Sequence, residues 1–460
     1  MATNGHLNAK DAVARVLTVG AALAALTIPL LTSSTPAHRA QPSRLEGLDA
    51  DELGLVGYAG HARDSKKPKL TASFPRESYA PGTTARLVIA DKAENVSVQI
   101  FRAGGESEKT LPNDVMLGTP VAPAVRIGAV DGRRVVTVAV GAWPSGVYYA
   151  QLTAGARVGY APFVLRPARL GEHRVAVVMP TQTWQAYNFR DDNGDGVSDT
   201  WYSFRPGHTT ARLGRPFLNR GVPPHWKQYD APFVRWLMQT HKNVDFLSDA
   251  DLRTVSNGRR LATAYSLIIF SGHHEYVTGH EYDAITQYRN LGGNLMFLSA
   301  NNFFWKITVR GNVMTRIAQW RDLGRPEAAL IGVQYRGNDR GTHRGPWIVR
   351  DTTSEPWLFA HTDIHRGDDL SNGGIEIDKT APSSPAGVKV LAEIPNLFGP
   401  GFTAQMTYYE TPAGAKVFAA GAFSLADAIW QPQVGQLVDN LWARLGTDPA
   451  SEAGRHTSNP

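Results

Sequence analysis

The chain has 460 residues, enough for two or three domains that each bury a core. Its formal charge of +6 is spread thinly, with no basic run longer than the one at residues 64–69, so nucleic acid is not an expected partner. It has no cysteine, which excludes disulfides, thiolate metal sites, iron–sulfur clusters and cysteine-based amidotransferase or protease chemistry.

Lys10 and Arg15 precede an uncharged stretch over 16–31, followed by small residues up to His38. A basic start, a short apolar run and small residues read as an export signal over 1–37, with cleavage after Ala37 or retention as an anchor. The protein is therefore expected to be exported to the cell envelope or beyond, and to meet a membrane only through this segment. Residues 38–68 are polar and irregular, as a linker is. From Leu70 the pattern alternates apolar with polar over 70–74, 84–90, 96–101, 134–140, 147–152 and 160–165, with Gly- and Pro-rich turns between. Short strands at that spacing predict an Ig-like antiparallel β-sandwich over 69–167.

After Arg166 the period changes. Residues 174–179 are continuously apolar, as in a central parallel strand. A helix near 231–240, strands near 244–247, 265–270 and 293–299, and a helix over 281–290 follow. A late strand over 416–421 and a closing helix over 433–445 complete a repeated β-α-β order. This predicts a doubly wound α/β domain over 168–447, elaborated by a Gly/Pro/Asp-rich insertion at 330–400. The tail, 448–460, is expected to be disordered.

Three loops follow predicted parallel strands: 180–188, 271–277 and 299–305. All should open on the carboxyl edge of the sheet, where open α/β sheets place ligand crevices. They carry Trp184, Tyr187, Asn188, His273, His274, Glu275, Asn301 and Trp305. His273 and Glu275 lie two residues apart on one turn, where an imidazole and a carboxylate can share a metal ion or a proton. A polar cluster rimmed by aromatic rings suits a small ligand.

Trp184-Gln185-Ala186-Tyr187-Asn188, then Ser271-Gly272-His273-His274-Glu275-Tyr276, then Leu298-Ser299-Ala300-Asn301-Asn302 with Trp305, resemble the large (beta) subunit of N,N-dimethylformamidase. The resemblance spans about residues 70–446. It implies a class I glutamine amidotransferase-like α/β domain after the sandwich, and a mononuclear Fe(III) held by two tyrosines and one glutamate that hydrolyses small amides. Glu275 matches the glutamate ligand and Tyr187 one tyrosine. The other is assigned by position to Tyr148, with Tyr149 and Tyr202 as rivals. His273 and Asn301 match polar site residues, and Glu410 a second acidic one. Phenolate and carboxylate oxygens are hard donors that suit ferric iron. His273 or Glu410 would pass a proton to the departing amine, and Asn301 would orient the carbonyl. The chain departs from the resemblance at His274 and Val277, where the family commonly has Asp and Trp. The family enzyme also has a small partner subunit, so an accessory subunit or a homo-oligomer is expected here.

Residues 191–199 carry a second signal. Asp191, Asn193, Asp195 and Asp199 place oxygens at positions 1, 3, 5 and 9, Gly196 sits at the sharp turn, and Val197 offers its carbonyl at 7. This is the spacing of an EF-hand-type Ca2+ loop, with Tyr202 where a bidentate Glu would close the shell. Two functions follow from these readings: a metal-dependent hydrolase of small amides, or a calcium-stabilised surface protein that binds glycans or a partner without catalysis.

Overall fold

The computed structural model describes residues 64–107, 112–203 and 207–446; the expected export segment, most of the linker and the tail lie outside the described residues. The first strands carry the alternation seen in the sequence. Two predicted strands, however, fuse into one, Thr84–Arg102. Its first part pairs with Val125–Ala139 and its last six residues with Gly146–Ala154, both antiparallel. Register shifts between Ala93 and Ser97, with Asn95 at a positive φ of 53°, bend the strand and let it serve two neighbours. The seven strands of this region consequently hydrogen-bond as one connected sheet where two separate ones were expected.

The Val175–Met179 strand is buried along its whole length. Alternate residues face opposite sides: Val175 and Val177 pack with Phe233, Trp236, Leu437 and Leu441, whereas Ala176 and Val178 pack with Leu252, Leu261 and Ile285. The sheet is thus covered by helices on both faces, and an uninterrupted apolar run is what such a position requires. Its parallel part runs Asp245–Ser248, Val175–Met179, Leu267–Phe270, Asn294–Phe297, Lys416–Ala419. In chain order that is 2-1-3-4-5, which puts the reversal between Val175–Met179 and Leu267–Phe270. Ligands of open α/β sheets bind at the carboxyl ends flanking this reversal.

Beyond Lys416–Ala419 the same sheet continues antiparallel through Ala404–Glu410, Lys389–Ile394, Arg344–Val349, Asp369–Lys379 and Gln334–Asn338. The segment expected to be an insertion therefore supplies four of the eleven strands of the main sheet. Its Gly and Pro content hid the strands because several are short and bulged. A smaller sheet pairs Tyr276–Thr278, Trp305–Arg310, Val313–Gln319 and Thr210–Arg212 beside the carboxyl edge. No helix among the described residues is long and apolar enough to cross a membrane.

The N-terminal sheet is bolted to the larger one. On Gly146–Ala154, Tyr148 and Ala150 face the N-terminal core while Val147 and Tyr149 face the larger core. Buried Ser145 donates through Oγ to the Leu165 carbonyl at 2.9 Å and accepts the Phe246 N–H at 2.7 Å. The Glu77 carboxylate crosses the same junction to Arg253 and Thr181. Ser145→Ala leaves the Phe246 N–H buried without its acceptor. We expect a loss of about 1–2 kcal/mol in urea unfolding with the m-value unchanged; an unchanged midpoint would show that the amide finds another acceptor.

Candidate functional site

The helix Thr181–Ala186 begins directly at the end of the first parallel strand and ends at Tyr187. The third strand ends at Phe270, and the turn that follows delivers His273 and Glu275. This turn is tied down on both sides. Glu275 N–H donates to Thr183 Oγ1 at 3.2 Å, His274 N–H donates to Asn302 Oδ1 at 3.2 Å, and the Glu275 carbonyl accepts Trp305 N–H at 2.9 Å. The three loops expected to converge therefore hold one another through backbone bonds.

Tyr187 donates its hydroxyl to Glu275 Oε2 at 2.7 Å. His273 Nε2 lies 3.6 Å from the same oxygen and 3.4 Å from Glu376 Oε2. The Asn301 backbone N–H donates to Asp378 at 2.9 Å, and its side chain stands near enough to Glu275 and Glu376 to oppose the upward effect of burial on both carboxyls. Tyr276, the residue after Glu275, joins Tyr202 by a short hydroxyl contact and accepts Trp201 Nε1–H at 3.2 Å. The Tyr187 and Tyr202 rings are 4.8 Å apart.

Two of the expected residues lie elsewhere. Tyr148 is fully buried in the N-terminal core, stacked on Trp143 and Phe163, and its hydroxyl donates to the Pro144 carbonyl. Its neighbour Tyr149 faces the larger core and donates to the Met116 carbonyl. Of the three tyrosine rivals only Tyr202 reaches the cluster. Glu410 pairs in register with Lys416, the first residue of the last parallel strand, so it stands at the amino edge of the sheet, opposite the site. The acid that does reach the site is Glu376. His274, meanwhile, points away from the cluster: its ring lies edge-on to Phe270, with Nδ1 3.9 Å from Asp249.

Glu376 and Asp378 were not foreseen. Both lie on Asp369–Lys379, and their signal in the sequence is the alternation Ile375-Glu376-Ile377-Asp378. Ile375 carries a positive φ of 69°, a rare conformation for a β-branched residue, next to the glutamate that meets His273.

Burial without a compensating cation dominates the electrostatics. Desolvation raises both Glu275 and Glu376, and the charge of Glu275 adds to the effect on Glu376. Burial, with help from His225 and His274, lowers His273 well below the usual histidine range. Burial therefore favours the protonated form of both carboxyls and the neutral form of the imidazole. His273 Nε2, Glu376 Oε2 and Asn301 Oδ1 are buried and have no hydrogen-bond partner among the described residues. Acidic groups crowded round unpartnered atoms are what a bound cation would relieve, because it inverts each of these preferences. Among the described residues no three His, Asp or Glu side chains are arranged to hold a metal by themselves. A cation here would thus draw on the Tyr187 phenol oxygen alongside Glu275.

In the 191–199 loop the same side chains that were read as calcium ligands close tight turns. Asp191 accepts the N–H groups of Gly194 and Gly196, Asn193 accepts that of Asp195, Asp195 that of Val197, and Asp199 that of Asp192. Gly194 and Gly196 have positive φ. The loop connects Tyr187 to Tyr202, so its shape sets how those rings meet.

The chain belongs to the N,N-dimethylformamidase beta subunit-like family: the sequence model of the family's C-terminal region matches residues 133–432. No curated protein matches the chain. Overlaps with solved structures are slight. The sporulation control protein Spo0M from Bacillus subtilis shares 9% identity over 22% of this chain and 50% of its own, at a TM-score of 0.17. Superoxide reductase (neelaredoxin) from Ignicoccus hospitalis shares 15% over 22% of this chain and 82% of its own, at 0.15. A cycloisomaltooligosaccharide glucanotransferase from Paenibacillus sp. shares 11% over 50% and 45%, at 0.16. The chain thus spans half the length of the first of these, and overlaps this slight carry no inference about fold or function.

Burial raises Asp378 to about 7 and Asp230 to about 8 from a usual 3.8. A folded-state value above the unfolded one means that the folded protein holds protons the unfolded chain has lost. Stability is then fully present below about pH 4 and declines as pH rises through 7 to 8. We expect the melting temperature of metal-free protein to fall across that window, and less steeply in Asp378→Asn. A flat profile in the wild type would show that these acids are ionised in the fold.

Proposed function

We propose that the protein is a metal-dependent hydrolase of small amides, exported through its N-terminal segment. The observation that carries this reading is the 2.7 Å contact between Tyr187 and Glu275 beside the unpartnered His273 Nε2 and Glu376 Oε2. Tyr187 and Glu275 would hold the metal, with Tyr202, the rival that reaches the cluster, as the second tyrosine in place of Tyr148. A hard oxygen set favours Fe(III), which supplies Lewis acidity toward an amide carbonyl.

The chain's own residues do the rest. Asn301 stands beside the two glutamates, where its side-chain amide would orient the carbonyl, and is itself held by Asp378 through its backbone N–H. His273, neutral and 3.4 Å from Glu376, takes up a proton at Nε2 and delivers it to the departing nitrogen, the pair replacing the role assigned to Glu410. Phe423 meets the His273 ring edge-on at 4.9 Å and keeps bulk water from it. The non-catalytic alternative would be favoured by a Lys or Arg neutralising Glu275; among the described residues Glu275 makes no such ion pair, His273 being its only basic neighbour within 4 Å. The family's description as beta subunit-like supports an accessory subunit as partner.

Glu275→Gln should abolish iron uptake, measured by metal analysis of purified protein, while the melting curve stays cooperative. Iron retained at wild-type stoichiometry would remove Glu275 as a ligand, and an iron-loaded wild type inert toward a panel of formamides and other small amides would remove the hydrolase. We also propose Ca2+ binding by the 191–199 loop, because Asp191, Asn193, Asp195 and Asp199 keep the required spacing round positive-φ Gly196. Millimolar calcium should raise the melting temperature of wild type and not of Asp195→Ala; equal melting of both proteins in calcium and in chelator would dismiss the ion.

A further inference from the structure

Beside the cluster lies a small cleft with about 230 Å³ of atom-free space, part of it open to solvent, lined by Trp184, Tyr187, His225, Tyr229, Asp230 and His273. One wall is a single π-helical turn, Trp226–Asp230, entered through His225 at a positive φ of 60°. Such turns are rare and concentrate at functional sites. This one places His225 and Tyr229 face to face, ring centroids 4.9 Å apart, and sets Asp230 at its end.

Asp230 is 1% exposed and forms no ion pair among the described residues. Its Oδ2 accepts the Trp184 indole N–H at 2.9 Å, and its Oδ1 has no partner. Oδ1 sits against Gly272: a Cβ built there would come within 2.3 Å of it. The glycine before His273 therefore makes room for this oxygen. None of these contacts involves Tyr187 or Glu275.

Resting on the amide-hydrolase reading, we propose that Asp230 is a further substrate-binding residue, which presents a neutral carboxylic O–H at Oδ1 to the carbonyl oxygen of a small uncharged amide in the cleft. The indole N–H marks Oδ2 as the carbonyl oxygen of the acid, which leaves the proton on Oδ1. Burial holds the group at about 8, so it is protonated at neutral pH. A buried O–H without an acceptor is costly, and a ligand that supplies one recovers that cost. A carboxylic acid kept neutral by an apolar site so that it can donate is an established device in other enzymes.

The test is the dissociation constant of acetamide for the full-length, iron-loaded protein, followed by ligand-observed NMR, for wild type, Asp230→Asn and Asp230→Leu. Asparagine keeps an acceptor for Trp184 and a donor toward the cleft, so its affinity should stay within about threefold of wild type. Leucine should weaken binding by about tenfold or more. Equal affinities in all three, a loss in asparagine as large as in leucine, or no saturable binding by wild type would each overturn the proposal. If Asp230→Leu does not fold, infrared difference spectroscopy decides: adding acetamide to wild type should shift the carbonyl stretch of a protonated carboxyl, and that shift should be lost in Asp230→Asn; no acetamide-induced shift in wild type, or the same shift in Asp230→Asn, overturns it. Binding is read without turnover, so an inactive protein that binds acetamide in this pattern would sink the hydrolase reading and leave the Asp230 assignment standing.

Discussion

Buried carboxyl groups that no Lys or Arg of the described residues meets in an ion pair are the constraint on which the site depends. Glu275, Glu376 and Asp378 are all withdrawn from water, and only protons or a bound cation can make that tolerable. A fold that accepts this cost must hold the groups in place by other means. Here the means are bonds to the main chain of the turn carrying Glu275: Thr183 Oγ1 from one neighbouring loop, and Asn302 Oδ1 with Trp305 N–H from the other. The turn is held through its backbone, and among the described residues several of the site's side-chain atoms are left without partners.

The sheet's reversal explains why these residues meet at all. Two parallel strands whose connections leave in opposite directions open a gap at their carboxyl ends, and the chain fills it with Tyr187 from one loop and His273 with Glu275 from the other. The smaller sheet then closes the side, since Tyr276 begins a strand that pairs with Trp305 one residue after Glu275. The antiparallel half of the main sheet closes the far side with Glu376 and Asp378. Three walls thus come from three kinds of pairing.

Much of this was legible in the sequence. Continuous apolar runs marked the parallel strands because those strands are buried on both faces, and the loops after them followed from the rule about carboxyl ends. Tyr187, His273, Glu275 and Asn301 were all found that way, and they meet. What was hidden lies where pattern and position part company. Residues 330–400 read as an insertion because Gly373 and Gly374, close to Trp347 and the His343–Arg344 backbone, sit where a strand needs room and composition suggests a loop.

The misplacement of Tyr148 and of Glu410 has one cause. Position along the chain does not determine side or edge in a sheet. On Gly146–Ala154 both faces are buried, so adjacent tyrosines serve different cores, and neither core is the site. Glu410 ends a strand that runs antiparallel to its parallel neighbour, and the carboxyl end of such a strand lies at the wrong edge. Asp378 and Glu376 succeed for the complementary reason: their strand crosses the sheet so that two residues of one face stand beside Asn301. A third oxygen donor for the proposed cation must accordingly share the edge, as Tyr202, Tyr229 and Glu376 do and as the tyrosines of the N-terminal sheet's interior do not.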